Sequence, residues 1–272
     1  MSLITISSPI GCGGEEIARA VANGLDLEVF DDRKLLEIAP AVGIPSEELK
    51  GMEEPGFFDR LFSRAPQVYM DYMDSIVYEV AKQGKGVIIG HGSQMLLRDF
   101  GCAFHVAVHA PQEVRIKGIT EQQGLSEKAA DKLINKMDNR RRGFFRVAFH
   151  KDLDDPSLYD MIINTSKVRY ETAAKLIIEA THSDELSSCS LTALDAMELL
   201  SEIKRVEAVL ISKDLYSNLM NLDVPEKGVV EIYGLGYSQE SIDQIIKTVE
   251  DVPGVSEVRS ELIVLPPRYG SI

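Results

Sequence analysis

The chain has few basic residues, few cysteines and no long apolar segment. Its 272 residues include 29 Lys and Arg against 43 Asp and Glu, which gives a formal net charge of -14. A chain this acidic lacks the broad basic face that binds nucleic acid duplexes. No apolar run approaches the roughly 18 residues that span a membrane. We therefore expect no nucleic-acid partner and no transmembrane segment.

The cysteines are scattered and odd in number: Cys12, Cys102 and Cys189. This spacing indicates neither a disulfide framework nor a zinc site. It favours a reducing compartment, and we expect a cytoplasmic protein. Cys12 is either a reactive thiol or, as its setting favours, a small residue that fits a glycine-rich turn.

Short apolar segments alternate with helical patterns over the first 180 residues. Apolar strands separated by helices are typical of a parallel sheet covered on both faces, which right-handed crossovers turn into a doubly wound α/β domain. Pro111 and Gly124 bracket one predicted helix, and Ser126 has the character of the N-cap of the next. Residues 41–66 are predicted to be loop with a short helix. The predicted strands are Leu3–Ser7, Leu27–Phe30, Gly86–Gly90, Phe104–Val108 and Asp160–Asn164.

The composition changes near residue 180, where a polar stretch begins. We interpret residues 1–181 as one domain, 182–203 as a linker that passes into a helix, 204–266 as a small α/β module and 267–272 as a tail. Within the module, the pattern predicts helix, strand, helix and strand, with Ser238 as an N-cap and Gly254 as a stop.

A glycine-rich segment separates the first predicted strand from the first helix. Gly11, Gly13 and Gly14 stand where backbone N–H groups can surround a phosphate at a helix N-terminus. Aligned with the pattern G-x-x-x-x-G-K-[ST], the lysine position is Gly14 and the Ser/Thr position is Glu15. The loop therefore lacks both the lysine that neutralises phosphates and the hydroxyl that binds Mg²⁺.

Two interpretations of the acidic residues in this loop stay open. Glu15 and Glu16 complement the positive end of the helix dipole, an interaction worth about 0.3–1 kcal/mol. Alternatively, Glu15 ligates a metal ion that accompanies a nucleotide, because Mg²⁺ accepts carboxylates.

Several blocks in order resemble the cytidylate kinase-like family. They are "ITISSPIGCGGEEIA", "FDDRKLLEIA", "GVIIGHGSQMLLRD", "VHAPQEVRIKGI", "LSEKAADKLINKMDNRRRGFF" and "LYDMIINTS". The resemblance implies a five-stranded parallel sheet with a helical lid, and transfer of the γ-phosphoryl of ATP to CMP or dCMP with Mg²⁺. It implies catalytic roles for Arg140, Arg141 and Asp32. It implies nucleotide contacts from Gly11, Cys12, Gly13, Gly14, Glu15, Glu16, His91 and Arg115, with Glu15 as the metal ligand.

Two departures from the family pattern weaken that expectation. The glycine loop carries Gly14 and Glu15 where related sequences have an arginine or lysine, and His91 replaces the arginine of a G-R-G block. Histidine cannot form the bidentate fork that arginine makes to phosphate. The remaining cations are Arg140 to Arg142 and Arg146, which are either lid arginines that bind phosphate or a solvated basic helix face.

The segment "VVEIYGLGYSQESIDQIIKTVEDVPGVSEVRSELIVL" resembles the BON domain, which implies a binding role. It identifies no binding residue, and a dimerising or regulatory appendage is an equal alternative. Two functions therefore remain: a cytidylate-type kinase with a modified loop, or a nucleotide sensor that has lost catalysis and signals through this module to a protein partner or a second copy.

Overall fold

The computed structural model describes residues 2–44, 66–183, 186 and 191–265. Five parallel strands form one sheet in the order β2-β3-β1-β4-β5. The predicted doubly wound α/β fold is confirmed, and each of the five predicted strands overlaps an observed one. The strands are β1 (Leu3–Ser7), β2 (Val29–Phe30), β3 (Gly86–Ile89), β4 (Ala103–His109) and β5 (Met161–Asn164).

Helices connect these strands, and single-turn 3-10 helices lie at Ala39–Val42 and Pro156–Leu158. The α-helices of the larger domain are α1 (Gly14–Leu25), α2 (Asp32–Ile38), α3 (Pro66–Ala81), α4 (Ser93–Leu96), α5 (Gln112–Gln123), α6 (Glu127–Phe149) and α7 (Tyr170–Thr181). Among the described residues, no helix is long and apolar enough to cross a membrane.

Each face of the sheet packs on its own hydrophobic core. Leu3 points into a core with α2 and α3, whereas the next residue, Ile4, points into a second core with α1 and α7. Alternate side chains of a strand lie on opposite faces, so burial on both faces gives continuous apolar strands. This is why the strands of the sheet were visible in the sequence.

The predicted helix ends around the lid are confirmed. Gly124 adopts a φ of 67° after α5, and the Ser126 hydroxyl accepts a hydrogen bond from the Ala129 N–H at the start of α6. The α5–α6 pair is joined by a small apolar cluster that includes Ile119 and Ile134. The two helices thus form a packed lid beside the carboxyl ends of the strands.

The C-terminal part is one helix, a three-stranded sheet and a second helix. α8 (Leu191–Ser212) leads to β6 (Met220–Glu226), β7 (Val229–Gly236), α9 (Gln239–Glu250) and β8 (Glu257–Val264), in the sheet order β6-β7-β8. β6 is antiparallel to β7, and β8 is parallel to it. The Ser238 hydroxyl caps α9 as predicted.

α8 joins the two parts. Its Met197 and Ala208 pack in the core with α3, whereas its Val206 and Leu210 pack in a third core with β6 and β7. One helix therefore spans the predicted boundary at residue 203 and contributes apolar side chains to both sides.

Cysteine chemistry differs from the expectation. Cys102 is disulfide-bonded, so the prediction that the cysteines form no disulfide is wrong at this residue. Cys12 is a buried free thiol, and burial raises its pKa. Cys189, the tail 267–272 and residues 45–65 of the predicted loop lie outside the described residues.

Candidate functional site

The glycine loop occupies the turn between β1 and α1. Gly11 and Gly13 have φ values of 78° and 80°, which side-chain-bearing residues rarely adopt. Gly13 is the N-cap of α1, and no side chain caps the helix there. The first amides of α1 are thus left for another acceptor, as in helix N-termini that bind anions.

Ser8 fills the space that a side chain at residue 14 would need. A Cβ atom on Gly14 would lie 2.3 Å from the Ser8 Cβ and 2.6 Å from its Oγ. Ser8 stands at the first glycine position of the phosphate-loop pattern, and Gly14 stands at the lysine position. The two replacements are therefore sterically coupled, and a side chain fits at residue 14 only if Ser8 moves or shrinks.

The loop is held from the side of α7 by residues that the sequence did not identify. A Cβ atom on Gly13 would lie 2.2 Å from the Tyr170 ring. The Thr165 hydroxyl donates to the Cys12 carbonyl at 3.0 Å. Tyr170 carried no sequence signal, because a tyrosine that opens a helix has no distinctive spacing.

The two acidic residues of the loop lie on its outer side. Glu15 is exposed and pairs with Arg19 one turn later, at 3.4 Å. Glu16 accepts a hydrogen bond from the Gln122 side chain at 3.0 Å, which ties α1 to α5. Across the described ranges, no three His, Cys, Asp or Glu side chains gather as a metal site.

Arg115 links the loop to the lid. Its Nε–H donates to the Ile10 carbonyl at 2.8 Å, and its two terminal nitrogens donate to the Asp138 carboxylate at 2.8 and 2.7 Å. The Arg115 side chain is only 7% exposed. The structure thus places this predicted nucleotide-binding residue beneath the loop, with its guanidinium engaged by α6.

Arg141 lies at the carboxyl end of β1, directly before the loop. Its guanidinium donates to the Ser7 hydroxyl, which also lies within 3.3 Å of the Tyr159 hydroxyl. Gln94 completes this polar cluster, with its amide nitrogen 3.3 Å from the Tyr159 hydroxyl.

The charge of Arg141 has no ionic partner within the described part of the chain. No carboxylate there lies within ion-pair distance of it, and desolvation lowers its guanidinium pKa. A desolvated cation without a counter-ion attracts an anion strongly. Among the predicted residues, Arg141 is the one that the structure places at the loop without an ion pair, and the more distant carboxylates of Asp138 and Asp154 offset its desolvation only in part.

His91 lies in a strained segment between β3 and α4. Gly90, His91 and Gly92 have φ values of 75°, 55° and 72°. The His91 Nε2 lies 2.9 Å from the Asp32 carboxylate, and its Nδ1 lies 2.8 Å from the Tyr69 hydroxyl. The hydrogen bond from His91 lowers the pKa of Asp32. The predicted residues Asp32 and His91 are thus brought together, with both ring nitrogens of the histidine engaged.

The other lid arginines lie on the outer surface of α6. Arg140 is exposed, and Arg142 pairs with Asp154 at 3.1 Å. Arg142 and Arg146, four residues apart on α6, line a cleft of about 370 Å³ together with His150, Lys151, Asp152 and Leu153.

A parallel sheet with a glycine loop between β1 and α1, covered by a helical lid, defines the P-loop kinase class of folds. Residues 3–167 match the sequence profile of the Cytidylate kinase-like family. The chain belongs to this family.

Known relatives share the same two thirds of the chain. A cytidylate kinase of Staphylothermus marinus is 29% identical over 182 residues, which cover 66% of this chain and 96% of the relative. One from Pyrobaculum calidifontis is 25% identical over 183 residues, which cover 66% and 92%. A solved structure of an uncharacterized protein from Eubacterium ventriosum is similar in fold, with a TM-score of 0.54, 23% identity, and coverage of 66% of this chain and 97% of that one.

Proposed function

We propose that this protein is an ATP-dependent nucleoside monophosphate kinase of the cytidylate type, with a modified phosphate loop. The observation that carries the proposal is Arg141, whose desolvated guanidinium lies at the start of the loop without a described carboxylate partner. Phosphoryl transfer needs positioning and charge neutralisation more than covalent chemistry. Arg141 supplies that charge beside the amides of α1.

The residues present fit the phosphates of a nucleotide. The N-terminus of α1 has no side-chain cap, although the Tyr170 ring and the Ser8 side chain occupy the space beside Gly13 and Gly14. The loop amides would bind phosphate oxygens, and Arg141 would bind the oxygens that gain negative charge during transfer. The hydrogen bond that Arg141 donates to the Ser7 hydroxyl orients its guanidinium.

The loop offers magnesium a single protein carboxylate, that of the exposed Glu15. Mg²⁺ in kinase sites uses one or two protein carboxylates and fills its remaining positions with phosphate and water. Glu15 stands at the Ser/Thr position of the loop, and its contact with Arg19 is exposed and therefore weak. Glu15 would hold the ion, which neutralises phosphate charge when bound.

The pair of Asp32 and His91 follows β2 and β3, which lie on the other side of β1 from β4. Its rigid geometry suits positioning of the acceptor nucleotide more than charge neutralisation, because the carboxylate already engages the imidazole. The relatives named cytidylate kinase favour CMP or dCMP as the acceptor.

The engaged His91 and the missing lysine favour a second function. His91 is held on both ring nitrogens, and the loop has no lysine, so two cations of the family pattern are missing or fixed elsewhere. A protein that binds nucleotide without transferring phosphate would have these properties, and it would signal through the C-terminal module.

One assay separates the two functions. Purified protein with Mg²⁺-ATP is supplied with CMP, dCMP, UMP or AMP, and ADP is measured by a coupled assay while ATP binding is measured by calorimetry. The kinase proposal predicts ADP formation that depends on the monophosphate. Binding without turnover supports the sensor, and absence of binding rejects both.

Arg141→Gln should lower ADP formation by about 10³–10⁵-fold, because a transition-state cation is lost. Lys136→Gln removes the same charge from an exposed position of α6 and should leave the rate within about twofold, the scale of a surface change. Equal losses in both variants would contradict the role of Arg141.

We also propose the domain limits 1–181, 182–203, 204–266 and 267–272, with a BON-like module at the C-terminus and a cytoplasmic location. The third hydrophobic core supports a separate module. Limited proteolysis tests this proposal: stable fragments that end between residues 182 and 203 support it, and cleavage only inside either sheet contradicts it.

A further inference from the structure

The outer edge of β8 has no strand beside it within the part of the chain that the structure describes. There, β8 pairs with β7 alone, because the sheet order is β6-β7-β8. Its eight residues are exposed except for Val258 and Leu262, which are half-buried. An edge strand of this length presents a row of backbone groups to which another strand can bind.

Backbone hydrogen bonds show which amides point to that edge. The N–H groups of Glu257 and Leu265 donate to carbonyl oxygens on the β7 side, at 3.0 and 2.8 Å. Odd-numbered residues of β8 therefore face β7, and since successive amides of a strand point in opposite directions, Val258, Ser260 and Leu262 face the free edge. In agreement, the Leu262 N–H donates to the Ser260 hydroxyl at 3.4 Å and not to β7.

The charge pattern of β8 is self-complementary. We infer that two copies of this chain pair antiparallel along their β8 edges, with Ser260 of one copy opposite Ser260 of the other. In this register, Arg259 of each copy lies opposite Glu261 of its partner, and Val258 lies opposite Leu262. Opposite charges and apolar pairs directly across neighbouring strands stabilise an antiparallel sheet.

The register that pairs the charges also pairs the free amides. With the two-fold axis at Ser260, the Ser260 residues of the two copies lie opposite each other. Val258 of each copy lies opposite Leu262 of the other. All three present their amides to the edge, so each becomes a hydrogen-bonded pair. Charge, apolar contact and backbone pairing thus favour one arrangement.

Neighbouring registers with the same amide direction fit less well. Centring the axis on Leu262 places Arg259 opposite Leu265 and Glu261 opposite Ile263, so no ion pair forms. Centring it on Val258 places Arg259 opposite Glu257, but it carries the pairing beyond the start of β8 to Pro253, which has no N–H group.

The monomer leaves one of these charges without a partner. Arg259 contacts Glu257 at 2.7 Å and Glu231 at 3.1 Å, which holds its guanidinium on the outer face of the sheet. Within the described ranges, Glu261 has no cationic partner. Antiparallel pairing supplies one and creates an isologous interface, the form that closes a dimer.

Sedimentation equilibrium of the full chain near 0.15 M salt, where long-range repulsion is screened, tests the inference. We expect a reversible dimer with a dissociation constant in the micromolar range. Ser260→Pro removes one outward N–H and should raise this constant at least tenfold, whereas Ser260→Thr should leave it within about threefold. Circular dichroism confirms that each variant is folded.

A charge change and a cross-link test the register. Glu261→Lys should raise the dissociation constant at least tenfold because Lys then faces Arg259, whereas Glu250→Lys makes the same charge change on the exposed end of α9 and should not. Ser260→Cys should form an intermolecular disulfide under mild oxidation, since hydrogen-bonded pairs place their Cα atoms about 5.5 Å apart. Glu257→Cys and the natural chain should not form one.

A chain that stays monomeric at every concentration overturns the inference. So does a dimer that Ser260→Pro and Glu261→Lys leave intact, or one that Ser260→Cys does not cross-link. Nucleotide binding is measured on the same samples and is expected to be unchanged, so failure here is distinct from failure of the proposed function.

Discussion

At the scale of single residues, the glycine loop is defined by two replacements that fit each other. The sequence showed that residue 14 is not a lysine, but it did not show why a lysine does not fit there. Ser8 and Gly14 are six positions apart in a loop without regular periodicity, so their contact could not be predicted. Only coordinates show that the Ser8 side chain occupies the space beside Gly14. Substitutions in this loop therefore have to be made in pairs.

Gly14→Lys alone should destabilise the protein by about 1–3 kcal/mol, because the new side chain overpacks against Ser8. Ser8→Gly combined with Gly14→Lys should recover most of that loss and bind ATP at least tenfold more tightly, since a phosphate-neutralising lysine is restored. Thermal denaturation and calorimetry measure the two effects, and Ser8→Gly alone is the control. Equal stability of the single and double lysine variants would show that Ser8 does not limit this position.

Residue types were predicted better than residue contacts. The sequence singled out Arg115 as a nucleotide ligand, but its guanidinium is engaged by Asp138 and the Ile10 carbonyl, because long-range pairing depends on how α5 and α6 pack. The resemblance assigned catalytic roles to Arg140 and Arg141 together, and nothing in the sequence distinguished between these two. Helical geometry turns them to different sides, and only Arg141 reaches Ser7.

At the scale of helices and strands, the interface between α3 and α8 contains a buried carboxylate. Asp74 lies 3.7 Å from Lys204, and one of its oxygens has no hydrogen-bond partner. Burial raises the pKa of Asp74 to about 6. Its ionised form is therefore unfavourable in the folded protein.

Asp74→Asn should stabilise the protein at pH 8 and have little effect near pH 4. The folded pKa is raised above the unfolded value of 3.8, so the natural carboxyl costs stability as pH rises through about 6, and protonation at lower pH removes that cost. A shift of this size corresponds to about 1–3 kcal/mol. Chemical denaturation at pH 4, 6 and 8 measures it, with Glu250→Gln as an exposed control. A stability difference that does not change with pH would contradict the assignment.

The elements that the sequence predicted are those with a strong periodic signal. β6 was missed because Asn221, Asp223 and Pro225 are unfavourable in strands, and the observed strand has an irregular register at that point. The helix α8 begins within the stretch interpreted as a linker that passes into a helix, and it continues past residue 203 into the C-terminal part. Tertiary packing against α3 accounts for that helix.

At the scale of the whole molecule, two cores meet at one helix, and the candidate site and the free β8 edge belong to different parts. The larger part has the family fold over residues 3–167, and the smaller part has its own sheet and core. The sequence predicted both parts because each has its own alternation of strands and helices. It did not predict how α8 joins them, because different faces of one helix contact two cores that are distant in sequence.

Calorimetric titration of ATP into the natural chain and into Arg141→Gln, with Lys136→Gln as the control, measures the central claim most directly. The account predicts that the natural chain and Lys136→Gln bind alike and that Arg141→Gln binds at least tenfold more weakly, because a desolvated cation at the loop loses its anionic ligand. Unchanged affinity in Arg141→Gln, or no binding by the natural chain, would contradict the claim that the glycine loop and Arg141 together hold a nucleotide phosphate.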